Sequence, residues 1–265
     1  MTEADRTRRR AAGRDWLLFA LLAGGFCWLV ARGAAGLGYN WQWYLVPRTI
    51  ITEGPHGLAA GPLLQGLGVT LEVTALAACG AFGCGLAAAL LRLSGSLAGR
   101  ALARAYLEAV RNTPLLIQLF FLYFVLAPTL GLDGMATAVL GLSLFEGAYV
   151  SEILRAGILA IDHGQWDAAR SLGMGPAACY RLVILPQAVR RILPPLASQT
   201  VSLVKDSSLV SAIAIGELTM RGQSLVSETF LSFEIWFTVA AMYWLVTTAL
   251  SGLAHGLERR LAYPS

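Results

Sequence analysis

The sequence predicts an all-α polytopic membrane protein with about six transmembrane helices. Three observations lead there. Only 14% of the 265 residues are charged and 56% are hydrophobic, whereas soluble domains carry about 25% charged residues. Mean hydropathy is +0.62. Apolar runs of span length recur along the chain, and arginines gather in alternate connections between them, as the positive-inside rule expects, with Arg32, Arg48 and Arg221 as exceptions. The net charge of +4 therefore marks topology rather than a phosphate-binding stripe. Membrane lipid is an expected partner and nucleic acid is not.

Residues 1–15 carry Arg6, Arg8, Arg9, Arg10 and Arg14, a tail too basic and irregular to fold alone, which fixes the N-terminus in the cytoplasm. The run from Trp16 to about Ala35 is long enough for a first span, and is read as an anchor rather than a cleaved signal peptide. Residues 36–63 are rich in Gly, Pro and aromatics and read as an external loop. Gln65–Leu91 is a second span, Gly-rich in a way that suits close helix packing in lipid. Arg92–Arg111 holds four arginines and reads as cytoplasmic. Thr113 as N-cap and Pro114 at the first helical position begin a third span to about Leu126, and Pro128–Asp133 turns outside. A fourth span covers Met135–Leu159.

The stretch Ile161–Gln187 is polar and basic between apolar runs. Ala168 and Ala169 after Asp167, then Gly173, then Leu185-Pro186, predict a short helix, a glycine break and a second helix ending at a proline-enforced turn. Such a cytoplasmic helix–turn–helix suits docking better than catalysis. After Pro194-Pro195, a fifth run spans about Leu196–Ile215, interrupted by Lys205-Asp206-Ser207-Ser208. Met220–Ser232 reads as external. Phe233–Leu253 is the sixth span, and Glu258-Arg259-Arg260 marks a cytoplasmic C-terminus. No inverted internal repeat of the kind many secondary carriers show is visible.

A charge at a span centre costs about 2.5–3.5 kcal/mol on insertion scales, so each needs a partner or a wet cavity. Glu152 and Arg155 are spaced to pair on one helix face, and Glu152 is also a candidate for the solute path. Glu146 has no basic residue one turn away and is a candidate for the solute path, with Tyr149 on its face. Lys205 and Asp206 form either an internal ion pair or a helix break lining that path. The Ser207 and Ser208 hydroxyls can bond back to the helix or to solute.

No catalytic constellation is visible. Lys205, the only lysine, follows Val201-Ser202-Leu203-Val204 rather than a glycine-rich turn, so there is no Walker A motif. Four cysteines (Cys27, Cys79, Cys84, Cys179) and three histidines (His56, His163, His255) lack ligand spacing, and no cofactor is expected.

The Ile161–Gln187 stretch resembles the EAA loop of ABC-transporter permeases, through Gly164-Gln165, Asp167-Ala168-Ala169, Gly173 and Ile184-Leu185-Pro186-Gln187. Four further stretches, in order, resemble polar amino acid permeases of the histidine/glutamate/arginine type: Gly68-Val69-Thr70-Leu71; Glu108 through Leu116, similar to E-x-x-R-x-T-P-L-L; Gly147-Ala148-Tyr149 with Glu152 and Arg155-Ala156-Gly157-Ile158; and Lys205-Asp206-Ser207-Ser208-Leu209, similar to K-D-T-S-L. Asp167 stands for the usual glutamate and Ser207 for the usual threonine. The resemblance covers about Leu64 to Leu261. It implies a five-span importer core at 64–261, preceded at 1–63 by a basic tail, one extra span and an external loop. It also implies two ATPase subunits, a second permease chain, an external or periplasmic solute-binding protein and a polar amino acid as cargo, all at a bacterial inner membrane. The ATPase would dock on Gly164, Gln165, Asp167, Ala168, Ala169, Gly173, Leu185 and Pro186, and closure of the ATPase pair would swing the attached spans. The alternatives are a stand-alone secondary carrier, and a membrane-embedded enzyme or sensor.

Overall fold

The computed structural model describes residues 3–36, 38–54 and 57–261, with His56 outside them. Met1–Trp43 and Tyr44–Ser265 form separate compact units. The first unit is dominated by one helix, α1 (Glu3–Gly36). The arginine tail expected to be irregular is instead the start of this helix. Arg, Ala and Glu are all good helix formers, and a long apolar segment behind them propagates the turn.

The second unit opens with a short helix, α2 (Val46–Ile50), and an antiparallel hairpin, β1 (Ile51–Gly54) with β2 (Gly57–Ala60), pairing Thr52 with Ala59. The expected external loop thus has its own local order. The long helices are α3 (Pro62–Leu93), α7 (Gly134–Leu159), α10 (Leu185–Asp206) and α12 (Ser232–Leu261). Between α3 and α7 lie α4 (Leu97–Arg111), α5 (Leu115–Phe121) and α6 (Ala127–Leu130). Alone, 14–33, 62–93, 134–159 and 232–259 are long and apolar enough to cross a membrane. A fifth candidate is α4 with the following helix to Leu130, bent by 106°. The expected fifth span at 196–215 is not a single apolar helix. Arg190, Arg191, Lys205 and Asp206 lower the hydropathy of α10, and at Ser207 the chain tightens into a 3-10 segment ending at Ala214 in the left-handed region.

Three expected boundaries shift for stated reasons. Thr113 is not an N-cap: its Oγ1 donates back to Ala109 O at 2.8 Å, and Pro114 occupies the cap position of α5. Gln118 Nε2 then holds the bend, donating to Val110 O at 2.8 Å and Thr113 Oγ1 at 2.7 Å. Pro128 lies inside α6, and the turn after it begins at Gly131, whose φ is +66°. Pro194 and Pro195 sit within α10 rather than before it. A proline removes one intrahelical hydrogen bond, a loss that neighbouring helices make tolerable inside a bundle. Most of Met220–Ser232 lies in a helix, α11 (Leu218–Thr229).

The centre of the unit is the α3–α7 contact, with the small residues predicted for close packing. A Cβ on Gly80 would collide with Ser143, and one on Gly85 would lie 2.6 Å from Val150 Cγ1. Gly147, from the opposite side, sits against Cys84 and Tyr106. Gly68 and Gly83, by contrast, face open space. Buried Val73, Ala77, Leu119, Leu142, Leu203 and Val210 join α3, α5, α7 and α10 into one core. At the other end, fully buried Glu217 caps α11 by accepting from Thr219 N at 2.9 Å and Met220 N at 2.8 Å. It also accepts from Tyr243 Oη of α12 at 2.7 Å, while Thr70 of α3 accepts from Leu218 N at 3.1 Å. This network ties three helices together with its carboxylate well satisfied, the condition for burying a polar group without large loss.

Candidate functional site

The polar loop joining α7 to α10 folds into α8 (His163–Ser171) and α9 (Pro176–Cys179). Asp162 caps α8 by accepting from Gly164 N at 2.6 Å. The helix ends in a Schellman pair: Gly173 N donates to Arg170 O at 2.9 Å and Met174 N to Ala169 O at 3.2 Å. That closure requires a left-handed residue, and Gly173 supplies φ +76°. The short helix and glycine break are therefore as expected.

The proline turn is not. Helix α9 runs through a π turn at Tyr180–Ile184 straight into α10, with Pro186 in its first turn. Pro186 has no N–H, and the wider π turn ahead of it relieves the mismatch.

The two alanines also part company. Ala168 is exposed, while Ala169 is buried against Ile161, Cys179 and Ile184. The outward face of α8 presents Gly164, Gln165, Asp167 and Ala168, and its inward face holds Trp166 and Ala169. Trp166 meets Tyr180 edge-on at 4.8 Å, and Gln187 Nε2 donates to Gln165 Oε1 at 3.1 Å. Arg191 of α10 donates to Ala160 O at the end of α7. Leu185 and Pro186 are exposed at the foot of α10, one helix away from the α8 face. The loop is thus strapped to both arms it connects.

The sequence candidates in the spans separate into two places. Glu146 is 1% exposed on α7 and accepts from Gln199 Nε2 of α10 at 2.5 Å. Its other oxygen, Oε1, makes no hydrogen bond among the described residues. Asp206, at the end of α10, is close enough to Glu146 to interact with it. Glu146 and Gln199 border a cavity of about 170 Å³ between α3, α7 and α10, walled by Ala81, Phe82, Leu196 and Thr200. Gln199 was missed by sequence reasoning. The available signal was its place seven residues before Asp206, two helical turns along one face.

Tyr149 and Glu152 are elsewhere. They line a second cleft near the loop end of α7, where Arg92 of α3 and Arg155 both pair with Glu152, the latter at 3.6 Å. The Arg111 guanidinium lies 5.8 Å from the centre of the Tyr149 ring. The structural pairing of Glu152 with Arg155 was legible; Arg92, sixty residues away, was not. Lys205 is exposed and forms no salt bridge with Asp206 among the described residues, so the segment acts as a helix break. Both serine hydroxyls bond back to their own turn, Ser207 Oγ to Val204 O at 2.8 Å and Ser208 Oγ to Lys205 O at 2.7 Å.

Residues 81–263 match the model of the binding-protein-dependent transport system inner membrane component family. The chain is 37% identical over 202 residues to the glutamine transport system permease protein GlnP of Escherichia coli strain K12, covering 75% of this chain and 92% of that one. It is 38% identical over 203 residues to the L-cystine transport system permease protein TcyB of Bacillus subtilis strain 168, covering 76% and 87%. A crystal structure of an amino acid ABC transporter with histidines superposes with a TM-score of 0.71 at 38% identity, covering 75% of this chain and 94% of that chain. An inward-facing methionine ABC transporter, MetNI, shares the fold with a TM-score of 0.63 at 20% identity, covering 76% and 96%.

Proposed function

The chain belongs to the family of binding-protein-dependent transport system inner membrane components, and we propose that it passes polar amino acids inward, driven by ATPase subunits docked on its 161–187 loop. It is the membrane-spanning permease subunit of an amino acid ABC transporter, all-α, of the inner membrane. In this reading ATP is hydrolysed by a pair of partner subunits, an external solute-binding protein delivers the cargo, and a second permease chain completes the path. The permease core occupies 64–261, with both termini on the side of the loop. The stand-alone carrier is not favoured, since the matched relatives are ABC permeases.

One observation carries the mechanism. The two helices that grow out of the loop, α7 and α10, are the same two that hold the buried Glu146–Gln199 contact. A rigid push on α8 therefore reaches the polar cluster along two stiff rods, without a separate relay. An ATPase cleft would take Gly164, Gln165, Asp167 and Ala168, where small side chains allow close approach. Gly173 and Ala169 serve by holding α8 in position.

The cluster suits one end of an amino acid. Two adjacent carboxyls repel each other when both are ionised, and a cationic group between them relieves that repulsion. Glu146 lines the cavity, and its Oε1 accepts no hydrogen bond among the described residues. An α-ammonium supplies both the charge and the donors. This assigns Glu146 and Asp206 to the cargo and leaves Lys205, Ser207 and Ser208 to shaping the helix break.

The test is uptake of labelled glutamine, cystine and arginine into proteoliposomes containing the chain with its ATPase and binding protein. ATP-dependent uptake of at least one is expected, with loss in Ala168→Asp. Uptake driven by an ion gradient without ATPase would overturn the reading.

A further inference from the structure

The cleft beside Tyr149 has no part in the cargo path described above. It holds about 400 Å³, and its lining includes three arginines, Arg92 at the end of α3 and Arg104 and Arg111 on α4, with the carboxylates Glu108 and Glu152. It lies at the loop end of the unit, because Arg92 is in the last turn of α3 and its partner Glu152 is two turns before α7 ends. Helix α4 brings Arg104, Glu108 and Arg111 to one face by their spacing of four and three residues.

The charges there are not balanced. Glu152 is taken by Arg92 and Arg155. Glu108 accepts from Asn112 Nδ2 at 2.9 Å. Neither Arg104 nor Arg111 forms a salt bridge among the described residues. The Tyr149 ring lies under the Arg111 guanidinium, which orients the planar group while its N–H edges remain available. Two guanidiniums without a salt bridge among the described residues share one wall with a single carboxylate, Glu108, so the wall carries an excess of cationic donors.

We propose that this cleft binds a phosphate ester, carried either by an anionic phospholipid headgroup or by a small soluble phosphate. Guanidinium forks match phosphate oxygens two at a time. Basic pockets between helices at the positively charged side of a membrane are where lipid headgroups dock. Glu108 is the one lining carboxylate not held by an arginine, so it opposes an anion and tunes the site to weak, reversible binding. The proposal does not depend on the nature of the transported solute.

The experiment uses the full chain, purified in detergent and stripped of lipid. Dioleoylphosphatidylglycerol, glycerol 3-phosphate and free glutamine are titrated separately, and bound molecules are counted by native mass spectrometry. Phosphatidylglycerol binding is expected, weakened about tenfold in Arg104→Gln and further in Arg104→Gln/Arg111→Gln, and strengthened in Glu108→Gln. Arg48→Gln, outside the cleft, is expected to bind as the native chain does. Because Arg104 makes no ion pair, Arg104→Gln should keep its helical circular dichroism and thermal midpoint, so its loss of binding reports the site. Dependence on these arginines for the lipid alone identifies a headgroup, and for glycerol 3-phosphate as well, a soluble ester; either supports the site. Equal binding in native, Arg104→Gln and Glu108→Gln chains, or displacement of the lipid by glutamine, would overturn it.

Discussion

Glu146 illustrates how far a single residue can be read. An acid in the middle of an apolar run signals function because its burial is costly. The side chain is indeed buried, with one oxygen bonded to Gln199 and the other unpartnered among the described residues. Glu146→Gln keeps an acceptor for Gln199 and removes the charge. Uptake should fall at least tenfold while the amount of inserted chain and its ATPase partner stay unchanged, as read by quantitative blotting beside the transport assay. An ion contact to the cargo worth about 1.4 kcal/mol or more gives that factor, since hydrogen bonds to charged groups contribute about 1.5–3 kcal/mol. Ser207→Ala supplies the contrast. Its hydroxyl closes a local turn on Val204, so uptake within about twofold of native is expected, a local bond of this kind contributing about 0.5–1.5 kcal/mol to the fold alone. Glu146 was legible because composition makes it conspicuous. Gln199 was not, because a neutral amide in an apolar run is unremarkable until the fold sets a carboxylate opposite it.

Helices were legible where punctuation and periodicity agree. Gly173 announced the end of α8, and Asp133 and Gly134 begin α7 one residue from the expected start. Prolines misled the reading repeatedly. Pro114, Pro186 and Pro194-Pro195 suggested ends or starts that the chain passes through with a shifted cap, a π turn and a tolerated break. Proline forbids a hydrogen bond, and packed neighbours decide whether that ends a helix. The inward turn of Ala169 was equally hidden, since adjacent alanines look alike in sequence and only the packing of α8 on α9 separates them. That separation gives a paired test. Ala168→Asp should leave the chain folded but unable to retain its ATPase on affinity purification. Ala169→Asp places a carboxylate among Ile161, Cys179 and Ile184. It should lower the thermal midpoint by several degrees and reduce the yield of monodisperse protein, as expected for burying an unpaired charge. If both variants behave alike, α8 does not present the two faces assigned to it. Gly85→Leu tests the α3–α7 seam in the same way. Its side chain would meet Val150 and the Gly147 carbonyl, and overpacking of this kind costs about 1–3 kcal/mol. A fall in thermal stability without loss of membrane insertion is the expected result.

For the whole molecule, the arginine distribution and the helix order both support the proposed topology. Helices α3, α7 and α12 run toward the end that carries Arg92, the 161–187 loop and Arg259, while the hairpin at 51–60 lies at the other end of α3. The family match begins at residue 81, so the matched core leaves α1 and the hairpin outside it. In the proposed topology α1 is one additional crossing and the N-terminus is on the loop side. In a cysteine-free background, Arg6→Cys and Ser171→Cys should therefore react with a membrane-impermeant maleimide only after the membrane is opened. Leu58→Cys, 83% exposed on the hairpin, should react in intact cells. Deleting residues 1–43 removes one crossing and should leave the rest of the orientation unchanged: Ser171→Cys stays protected and ATP-driven uptake persists, because the α3–α7 seam, the Glu146–Gln199 contact and the loop all lie beyond residue 61. Labelling of Ser171→Cys from outside in the shortened chain would mean that the first helix sets the orientation of the core. The arginines at 92, 100, 104 and 111 would then be insufficient to hold their side of the membrane by themselves.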